Sequence, residues 1–458
     1  MKTGCHTYRF FLLSCFVLLM LSFSLLNRNA VAATSNSVRV TLGQAVVPLN
    51  GPWKFHTGDD PRWADPTFDD SSWETMDLTP SSPDAHDPDV GLTGYVPGWQ
   101  AKGHHGYSGY AWYRIRFSVD APQGETLALC APYYVDGAYQ VFLNGQLLGG
   151  TGDFSKQPPI VYNIHIPKLF SLSKSLATTS SVNESSLIAV RVWTAPFFIG
   201  APDAGGIHIA PSLGTMQGVK SLYSRQWLEM IYGYIVDASE GLFFLVLAVM
   251  VCTLIPFDPS DPAYFWLAAA LVLIAGARGN QAVYFWWQFE SLHAFEIFTI
   301  LLFVPLSLAT WTLAWCYWFR LSERTWMPKV VGILTLLLII SQFLRRSWFY
   351  GVFPHWVNSA SLFCVSSLRW LFFFLTLFII FRVAFRPGSE KWFALPAILL
   401  VSTGLFTLEL VKLHIPGIWF PFGVGVSLSE SAYAFFDVAM FILLLHRLCT
   451  FRRQPAIA

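Results

Sequence analysis

The chain has 458 residues, of which 54% are hydrophobic and only 12% are charged. This balance favours a membrane protein over a soluble one. The formal net charge of +1 gives no support for nucleic-acid binding, and the seven cysteines include no Cys-x-x-Cys pair of the kind that holds zinc or carries redox chemistry.

Residues 1–32 have the features of a secretory signal peptide. Lys2 and Arg9 precede the apolar run Phe10–Leu26, and the small residues Ala30–Ala32 follow it. This order of charged, apolar and small-residue regions is typical of a cleaved export signal. An uncleaved anchor is the alternative, because the apolar run is long. In both cases we expect the residues after Ala33 to leave the cytoplasm.

Residues 34–213 show the period-two pattern of β-strands. In Trp112–Val119 the odd-numbered residues are apolar and share one face, which predicts a half-buried strand. Ala138–Leu143 leads into Asn144-Gly145, a strong hairpin signal. Further predicted strands are Gln146–Leu148, Ser186–Trp193 and the weaker Val38–Thr41, Leu127–Ala131, Val161–Ile166 and Ile207–Ile209. Short strands separated by turn residues predict an all-β sandwich, and its single cysteine, Cys130, excludes an internal disulfide.

Five motifs carry a resemblance to a known family. They are Leu49–Phe55, Pro66–Trp73, Gly109–Phe117, Val141–Gly145 and Asn183–Val192. In order and spacing the set resembles the N-terminal sugar-binding jelly roll of family 2 glycoside hydrolases, a galactose-binding-domain-like fold. In that family the catalytic carboxylates lie in a separate barrel, for which this chain has apolar stretches instead. The resemblance therefore implies a fold and ligand binding, without hydrolysis.

The loop 99–110 is the candidate rim of a ligand site, because it is rich in glycine, aromatic residues and histidine. The candidate ligand-binding residues are Trp99, His104, His105, Tyr107, Tyr110 and Asp136. The alternative is that Tyr110 and Trp112 pack beneath the sandwich as core residues. We expect no metal, cofactor or catalytic site: the adjacent histidines lack ligand spacing, and the segment 106–110 lacks the last glycine of a nucleophile elbow.

Residues 227–446 consist of seven apolar stretches, preceded by a predicted linker at 214–226. The stretches are Trp227–Ile255, Ala263–Trp287, Ala294–Phe319, Val330–Leu344, Trp356–Phe385, Trp392–Leu413 and Val424–Leu445. The fourth is short and is expected to borrow Trp326–Lys329. A bilayer core of about 30 Å requires roughly 20 apolar residues in a helix, so the pattern predicts an all-α bundle of seven transmembrane helices. Continuous rather than alternating apolar runs exclude a β-barrel.

The distribution of basic residues predicts the orientation of this bundle. With the sandwich outside the cell, the inner loops and the tail at 447–458 hold nine basic residues and the outer loops hold two. The inner set is Arg320, Arg324, Lys329, Arg382, Arg386, Lys391, Arg447, Arg452 and Arg453, and the outer set is Arg345 and Arg346. The positive-inside rule therefore favours a cytoplasmic C-terminus in the inner membrane.

Several ionisable residues fall at membrane depth, where a charge is costly and commonly paired. The candidate intramembrane network in the outer half is Asp237, Glu240, Arg278, Glu409, Lys412 and Glu430, with Arg369 and Asp437 nearer the middle. Asp237 and Glu240 are three residues apart and share a helix face. Two interpretations stay open: a polar cavity that binds a ligand or couples two states of the bundle, and a set of ion pairs that locks the helices together.

The overall order of leader, exported jelly roll and seven helices resembles the bacterial seven-transmembrane receptors with diverse intracellular signalling modules. In that family a diguanylate cyclase, histidine kinase or PP2C-like phosphatase follows the last helix, whereas only residues 447–458 follow here. The resemblance implies a non-enzymatic receptor for a carbohydrate or other small ligand that acts on a separate cytoplasmic signalling protein. The alternatives are a transporter and the truncated sensor half of such an enzyme.

Overall fold

The computed structural model describes residues 46–82, 85, 92–119, 126–162, 165–172, 186–195, 202–287, 291–321, 326–345, 353–385, 391–413 and 428–453. The predicted signal peptide, the predicted strand Val38–Thr41 and the end of the predicted tail lie outside the described residues.

The N-terminal part is built from β-strands in two main sheets. The strands are β1 Val46–Pro48, β2 Trp53–Thr57, β3 Glu74–Met76, β4 Gly109–Phe117, β5 Leu127–Cys130, β6 Val135–Asp136, β7 Ala138–Leu143, β8 Gln146–Thr151, β9 Leu169–Ser171, β10 Ser186–Thr194, β11 Gly206–Ile207 and β12 Ser212–Thr215. One sheet has the order β3-β2-β4-β10-β7-β8, the second has the order β1-β12-β5-β9, and β11 pairs with β6. All pairings between these strands are antiparallel.

The two main sheets share one buried apolar core. Phe55, Tyr113 and Val190 come from the six-stranded sheet, and Leu129 and Leu213 come from the four-stranded sheet. The predicted N-terminal β-domain is therefore confirmed, and its jelly-roll topology stays a prediction.

The predicted hairpin at Asn144-Gly145 is confirmed. Both residues have positive φ angles, 48° and 86°, as the tight two-residue turn requires. Leu143 pairs with Gln146 across it. The Asn144 side chain also accepts a hydrogen bond from the Leu187 amide at 2.8 Å, which ties the turn to β10.

Strand β4 differs from the half-buried strand that its alternation predicted. Trp112 and Arg114, on the face expected to meet solvent, are fully buried. Trp63, Phe68 and Trp73, from the segment between β2 and β3, pack over that face. A second buried layer therefore covers the sheet on the side away from the main core.

The predicted strand at Val161–Ile166 is also wrong for its described residues, none of which lies in a strand. The reason lies in the backbone: the Val161 carbonyl accepts a hydrogen bond from the Leu292 amide at 2.9 Å. Leu292 belongs to the helical part of the chain, so this segment contacts helices rather than a neighbouring strand.

The C-terminal part is largely helical. Its helices are α1 Met216–Leu254, α2 Pro262–Trp286, α3 Leu292–Glu296, α4 Val304–Trp318, α5 Trp326–Leu344, α6 His355–Ala384, α7 Lys391–Leu405, α8 Thr407–Lys412 and α9 Leu428–Arg453. A π-helical segment, Ile297–Phe303, joins α3 to α4. Six helical segments are long and apolar enough to cross a membrane, so the chain is a multi-pass membrane protein.

The sixth predicted stretch, Trp392–Leu413, forms two shorter helices, α7 and α8. Pro396 lies inside α7, and the helix assignment is interrupted at Phe406. The Phe406 amide still donates to the Ser402 carbonyl at 3.0 Å, and the Leu410 amide donates to the Phe406 carbonyl at 3.0 Å. The backbone bonds thus continue across the interruption, although neither helix is long enough by itself to span a bilayer.

The β-domain connects to the helices without a separate linker. Strand β12 ends at Thr215, whose hydroxyl accepts a hydrogen bond from the Gly218 amide at 3.1 Å and caps the first turn of α1. The predicted linker at 214–226 thus belongs mostly to α1. Residues 214–226 precede the apolar stretch of α1, and their more polar composition is what made them resemble a linker.

Candidate functional site

The predicted ligand residues Trp99 and Tyr107 lie together at one end of the β-domain. Trp99 begins a short 3₁₀ helix, Trp99–Lys102, and its side chain is fully buried. Its indole N–H donates to the Tyr107 carbonyl at 3.2 Å, and the Gln100 side-chain amide donates to the same oxygen at 2.9 Å. The loop is therefore fixed by its own side chains.

The two predicted tyrosines of this loop contact each other. The Tyr107 hydroxyl donates to the Tyr110 carbonyl at 2.5 Å and accepts from the Gly58 amide at 3.1 Å. The Tyr110 ring lies 4.7 Å from the Trp193 ring, and the Arg191 guanidinium lies 4.7 Å from its centre. Tyr110 is only partly buried, so one side of this aromatic patch stays open to solvent, and the Arg191 guanidinium beside it is paired with the Asp59 carboxylate.

The paired histidines lie at the surface of the same loop. His104 lies 2.8 Å from the Glu74 carboxylate and 5.2 Å, ring to ring, from Phe55. His105 is exposed. Both therefore lie where a solute could reach them, beside the loop that holds Tyr107.

Asp136 is buried behind this loop and pairs with His208. Its Oδ2 lies 2.9 Å from His208 Nε2 and accepts a hydrogen bond from the Gly205 amide at 2.8 Å. His208 Nδ1 lies 2.9 Å from the Val96 carbonyl oxygen. Nδ1 thus faces a carbonyl acceptor, and Nε2 lies at ion-pair distance from the carboxylate without the alignment of a hydrogen bond, so both contacts favour the charged imidazolium. Burial lowers the pKa of His208, but the Asp136 charge and these contacts outweigh that effect and raise the pKa above its usual value.

Trp99 and Asp136 both contact Gly205. The Gly205 amide donates to the Asp136 carboxylate, and a side chain at Gly205 would collide with the Trp99 ring. Asp136 and Trp99 support the loop from within, and Tyr107, Tyr110, His104 and His105 lie towards its surface. Their ligand-binding role stays a prediction.

A buried aromatic cluster joins the β-domain to the helices, and the sequence analysis did not identify it. Tyr133 and His165 come from the β-domain, and Tyr234 and Phe285 come from α1 and α2. The Tyr234 and Phe285 rings stack at 4.0 Å, and the His165 ring stacks on Phe285 at 5.4 Å. These four residues form the aromatic junction. No pattern in the local sequence marks it, because its members come from separate elements.

Polar contacts reinforce the aromatic junction. The Tyr133 hydroxyl donates to the Gln226 carbonyl of α1 at 2.9 Å, and the Cys130 thiol donates to the Gln226 side-chain oxygen at 3.1 Å. Burial raises the pKa of Cys130 to about 12, so this thiol stays neutral and acts as a hydrogen-bond donor rather than a nucleophile. Helix α1 is thus packed against the four-stranded sheet over several turns.

The predicted membrane network is centred on Arg278 of α2. Its Nη1 donates to Asp237 Oδ1 at 2.5 Å, and its Nη2 lies 3.0 Å from Glu240 Oε2, an ion pair without the alignment of a hydrogen bond. The Tyr433 ring of α9 lies 4.8 Å from the guanidinium. Three helices therefore meet at one buried cation, and we call these four residues the Arg278 cluster.

A second ion pair joins α6 to the interrupted helix. Arg369 Nε donates to Glu409 Oε1 at 2.6 Å, and Nη2 donates to Oε2 at 2.7 Å. Nη2 also donates to the Leu405 carbonyl at 3.3 Å, beside the interruption. Lys412 Nζ contacts the Ser366 hydroxyl at 3.4 Å at the exposed end of α8. Glu430 lies on α9 near the Arg278 cluster, close enough for its charge to act on Asp237. These charged residues are recognisable within apolar stretches of the sequence, but only the fold gives their partners.

Comparisons with known proteins gave structural matches alone: no protein-family model and no curated protein matches the chain. A β-glucuronidase from Bacteroides uniformis is 19% identical with a TM-score of 0.26, over 37% of this chain and 18% of that one. A family 2 β-glucuronidase is 22% identical with a TM-score of 0.27, over 39% and 18%. A β-glycosidase from Bacteroides vulgatus is 22% identical with a TM-score of 0.23, over 37% and 20%. The chain thus spans about a fifth of the length of these enzymes.

Proposed function

We propose that this chain is a multi-pass membrane receptor whose β-domain binds a small ligand, carbohydrate in class, and whose helices relay the event to a separate cytoplasmic signalling protein. The observation that carries the proposal is the direct continuation of β12 into α1 at Thr215. One rigid element thus begins in the β-domain and reaches the Arg278 cluster through Asp237 and Glu240.

The aromatic junction supports the same relay. A flexible linker would let the β-domain change without moving the helices, whereas stacked rings and hydrogen bonds to Gln226 resist independent motion. A displacement of the four-stranded sheet would therefore shift α1 relative to α2. Ligand binding can favour such a shifted state only if the ligand has a higher affinity for it.

The ligand class is proposed from the residues at the loop 99–110. Sugars are bound by aromatic faces together with a few polar groups, and Tyr110, Arg191 and His105 supply both at an accessible edge. The motif order that resembles the sugar-binding domain of family 2 glycoside hydrolases favours the same class. Hydrolysis is not part of the proposal, and we expect no cofactor.

We further propose that α7 and α8 together form a seventh span, which places the two ends of the bundle on opposite sides of the inner membrane. Residues 391–412 would extend about 33 Å at 1.5 Å per residue, enough for the hydrocarbon core. The β-domain then lies outside and the end of α9 lies in the cytoplasm, in keeping with the distribution of basic residues.

The test uses the full chain in lipid nanodiscs and a panel of monosaccharides and oligosaccharides. We expect at least one sugar to bind and to change the hydrogen exchange of α1 and α2. A variant with two glycines inserted after Thr215 should keep sugar binding and lose the change in the helices. The matched control inserts two glycines after Gly145, in the hairpin turn, and should keep both. If sugar still changes the hydrogen exchange of α1 and α2 in the Thr215 variant as it does in the wild type, the relay is contradicted.

A transporter is the second candidate, and the interruption at Phe406 favours it. Discontinuous helices beside buried charges line the substrate sites of many transporters, and Arg369–Glu409 lies against this interruption. A small cavity adjoins the same point, lined by Trp311, Trp315 and Phe406 among others. Uptake of the bound sugar into proteoliposomes would support transport, and binding without uptake would support the receptor.

A further inference from the structure

Helix α9 presents a second acidic side chain towards the Arg278 cluster. Glu430, Tyr433 and Asp437 are spaced by three and four residues, so they lie on one face of the helix. Tyr433 on that face contacts the Arg278 guanidinium, and the charge of Asp437 acts on Glu240 of α1. Asp437 therefore lies one turn deeper than Tyr433, on the side that faces α1.

The Asp437 carboxyl group is buried without a hydrogen bond. The residue is only 9% exposed, and neither side-chain oxygen has a hydrogen-bond partner among the described residues. No described lysine, arginine or histidine lies within ion-pair distance of it. Its apolar neighbours on α9, Phe436 and Met440, are themselves fully buried in the core of the bundle.

The charges around Asp437 are unbalanced in the part of the bundle that the structure describes. This network has five carboxyl groups and two guanidinium groups on five helices; Glu296 of α3 is a further buried carboxyl group, and Lys412 lies apart at the exposed end of α8. The acidic residues are Asp237 and Glu240 of α1, Glu409 of α8, and Glu430 and Asp437 of α9; the basic residues are Arg278 of α2 and Arg369 of α6.

The guanidinium groups are already engaged by other carboxylates. Glu409 binds Arg369 through both of its oxygens, while Asp237 and Glu240 share Arg278. An ionised Asp437 would thus add a negative charge to a buried site that already has more acidic than basic groups. An isolated carboxylate in a low-dielectric interior is strongly disfavoured, and the common resolution is protonation.

We propose that Asp437 is a proton-binding site within the membrane bundle. A proton from water adds to a carboxylate oxygen and leaves the carboxyl group neutral, so the step requires no other reactant. Loss of that proton places a negative charge on α9 near the Glu240 carboxyl group of α1, and the repulsion between the two weakens the packing of the helices. The packing of α9 against α1 thereby depends on pH. This proposal does not require the receptor role.

The test is infrared spectroscopy of the full chain in nanodiscs, titrated from about pH 5 to about pH 9. The wild-type protein should show the carbonyl stretch of a neutral carboxylic acid, which shifts in heavy water. Asp437→Asn should remove that band, and Asp437→Glu should move it. Asp258→Asn, in the loop between α1 and α2, is the matched control and should leave it unchanged, because Asp258 lies at the end of the helices.

Two results would overturn the proposal. One is a wild-type spectrum in which Asp437→Asn removes no neutral-carboxyl band. The other is a band that disappears in Glu240→Gln and persists in Asp437→Asn, since the proton would then reside on Glu240. Hydrogen exchange provides the second measurement: the protection of α9 amides relative to the intrinsic exchange rate at each pH should change with pH in the wild type and stay constant in Asp437→Asn. Circular dichroism and gel filtration confirm that each variant is folded.

Discussion

Each half of this molecule has a buried arginine that joins separate parts of the chain, and the two arginines differ in their partners. Arg114 of β4 is buried under the segment between β2 and β3. It donates to Asp70 Oδ2 at 2.7 Å, to the Asp65 carbonyl at 3.1 Å, to the Phe68 carbonyl at 3.2 Å and to the Trp63 carbonyl. Most of its acceptors are therefore backbone atoms of one short segment.

Among the described residues, the guanidinium of Arg278 of α2 has polar and ring contacts with side chains alone. Its partners are Asp237 and Glu240 of α1 and the ring of Tyr433 of α9, and its Nε has no hydrogen-bond partner among the described residues. Its contacts can thus be exchanged by rotating side chains or shifting helices.

The two arginines differ in how firmly their partners fix the surrounding structure. The Arg114 guanidinium is held by four acceptors from one segment, whereas the Arg278 guanidinium is shared between two carboxylates of α1 and the Tyr433 ring of α9. Arg114 therefore fixes one segment of the β-domain on the sheet, and the proposed relay assigns the change in helix packing to the Arg278 cluster.

Arg114→Met gives the largest expected effect. The substitution leaves the Asp70 carboxylate and several carbonyls buried without a donor, so the free energy of unfolding of the β-domain should fall by about 3–5 kcal/mol. Urea unfolding of the detergent-solubilised chain, followed by tryptophan fluorescence, measures it. The control, Arg116→Met, removes a more exposed guanidinium and should cost less than about 1 kcal/mol. Equal losses in the two variants would show that Arg114 has no special role.

Arg278→Met should destabilise the bundle by a smaller amount, about 2–3 kcal/mol, because the carboxylates left behind can take up protons. Thermal unfolding in nanodiscs measures the change. The triple variant Asp237→Asn, Glu240→Gln, Arg278→Met removes both signs of charge and should recover most of the loss. If the triple variant is less stable than Arg278→Met, the carboxylates contribute more than their pairing with Arg278.

His208 should make the stability of the β-domain depend on pH. Its pKa is raised in the folded state, so its contribution is fully present below about pH 6.5 and is lost as the pH rises through the folded-state value. His208→Gln should lower the free energy of unfolding by about 1–2 kcal/mol below that pH and flatten the profile. Urea unfolding across pH measures both effects, and the exposed His105→Gln is the control. An unchanged profile in His208→Gln would assign the pH dependence to another group.

Thr215→Val gives the smallest effect. The substitution removes the hydroxyl that caps α1 and should cost about 1 kcal/mol, seen as faster hydrogen exchange in the first turn of the helix. Ser221→Ala removes an exposed hydroxyl from the same helix and should leave that exchange unchanged. Slow exchange in Thr215→Val would mean that contacts with the β-domain alone hold the first turn of α1.

Local patterns predicted the elements that local chemistry determines. The hairpin at Asn144-Gly145 and the helix Trp326–Leu344 both formed where turn residues and apolar length placed them. The burial of Arg114 could not be predicted, because the covering residues lie about 50 positions earlier in the chain. The start of α1 was hidden for a related reason: Thr215–Gln226 lacks the apolar run of a membrane helix and is stabilised by packing on the β-domain.

The sequence predicted which residues belong to the candidate network, but not which of them contact one another. Intramembrane charges are conspicuous in an apolar sequence, so Asp237, Arg278 and Glu409 were identified directly. Their partners depend on which helices are neighbours, which no spacing along one helix reveals. The pairing of Arg369 with Glu409 and the contact of Arg278 with Tyr433 therefore required the fold.

The length of α1 has a consequence for where a ligand can approach. Its 39 residues extend about 58 Å, nearly twice the hydrocarbon thickness of a bilayer. The four-stranded sheet packs against the first turns of α1, so the proposed orientation would place the β-domain close to the lipid headgroups instead of on a stalk. Fluorescent thiol labels can test this geometry. The fluorescence of a label on Lys220→Cys should be quenched by aqueous iodide, and that of a label on Val249→Cys by brominated lipid. In that placement, solutes would reach the domain from the thin layer of water next to the bilayer.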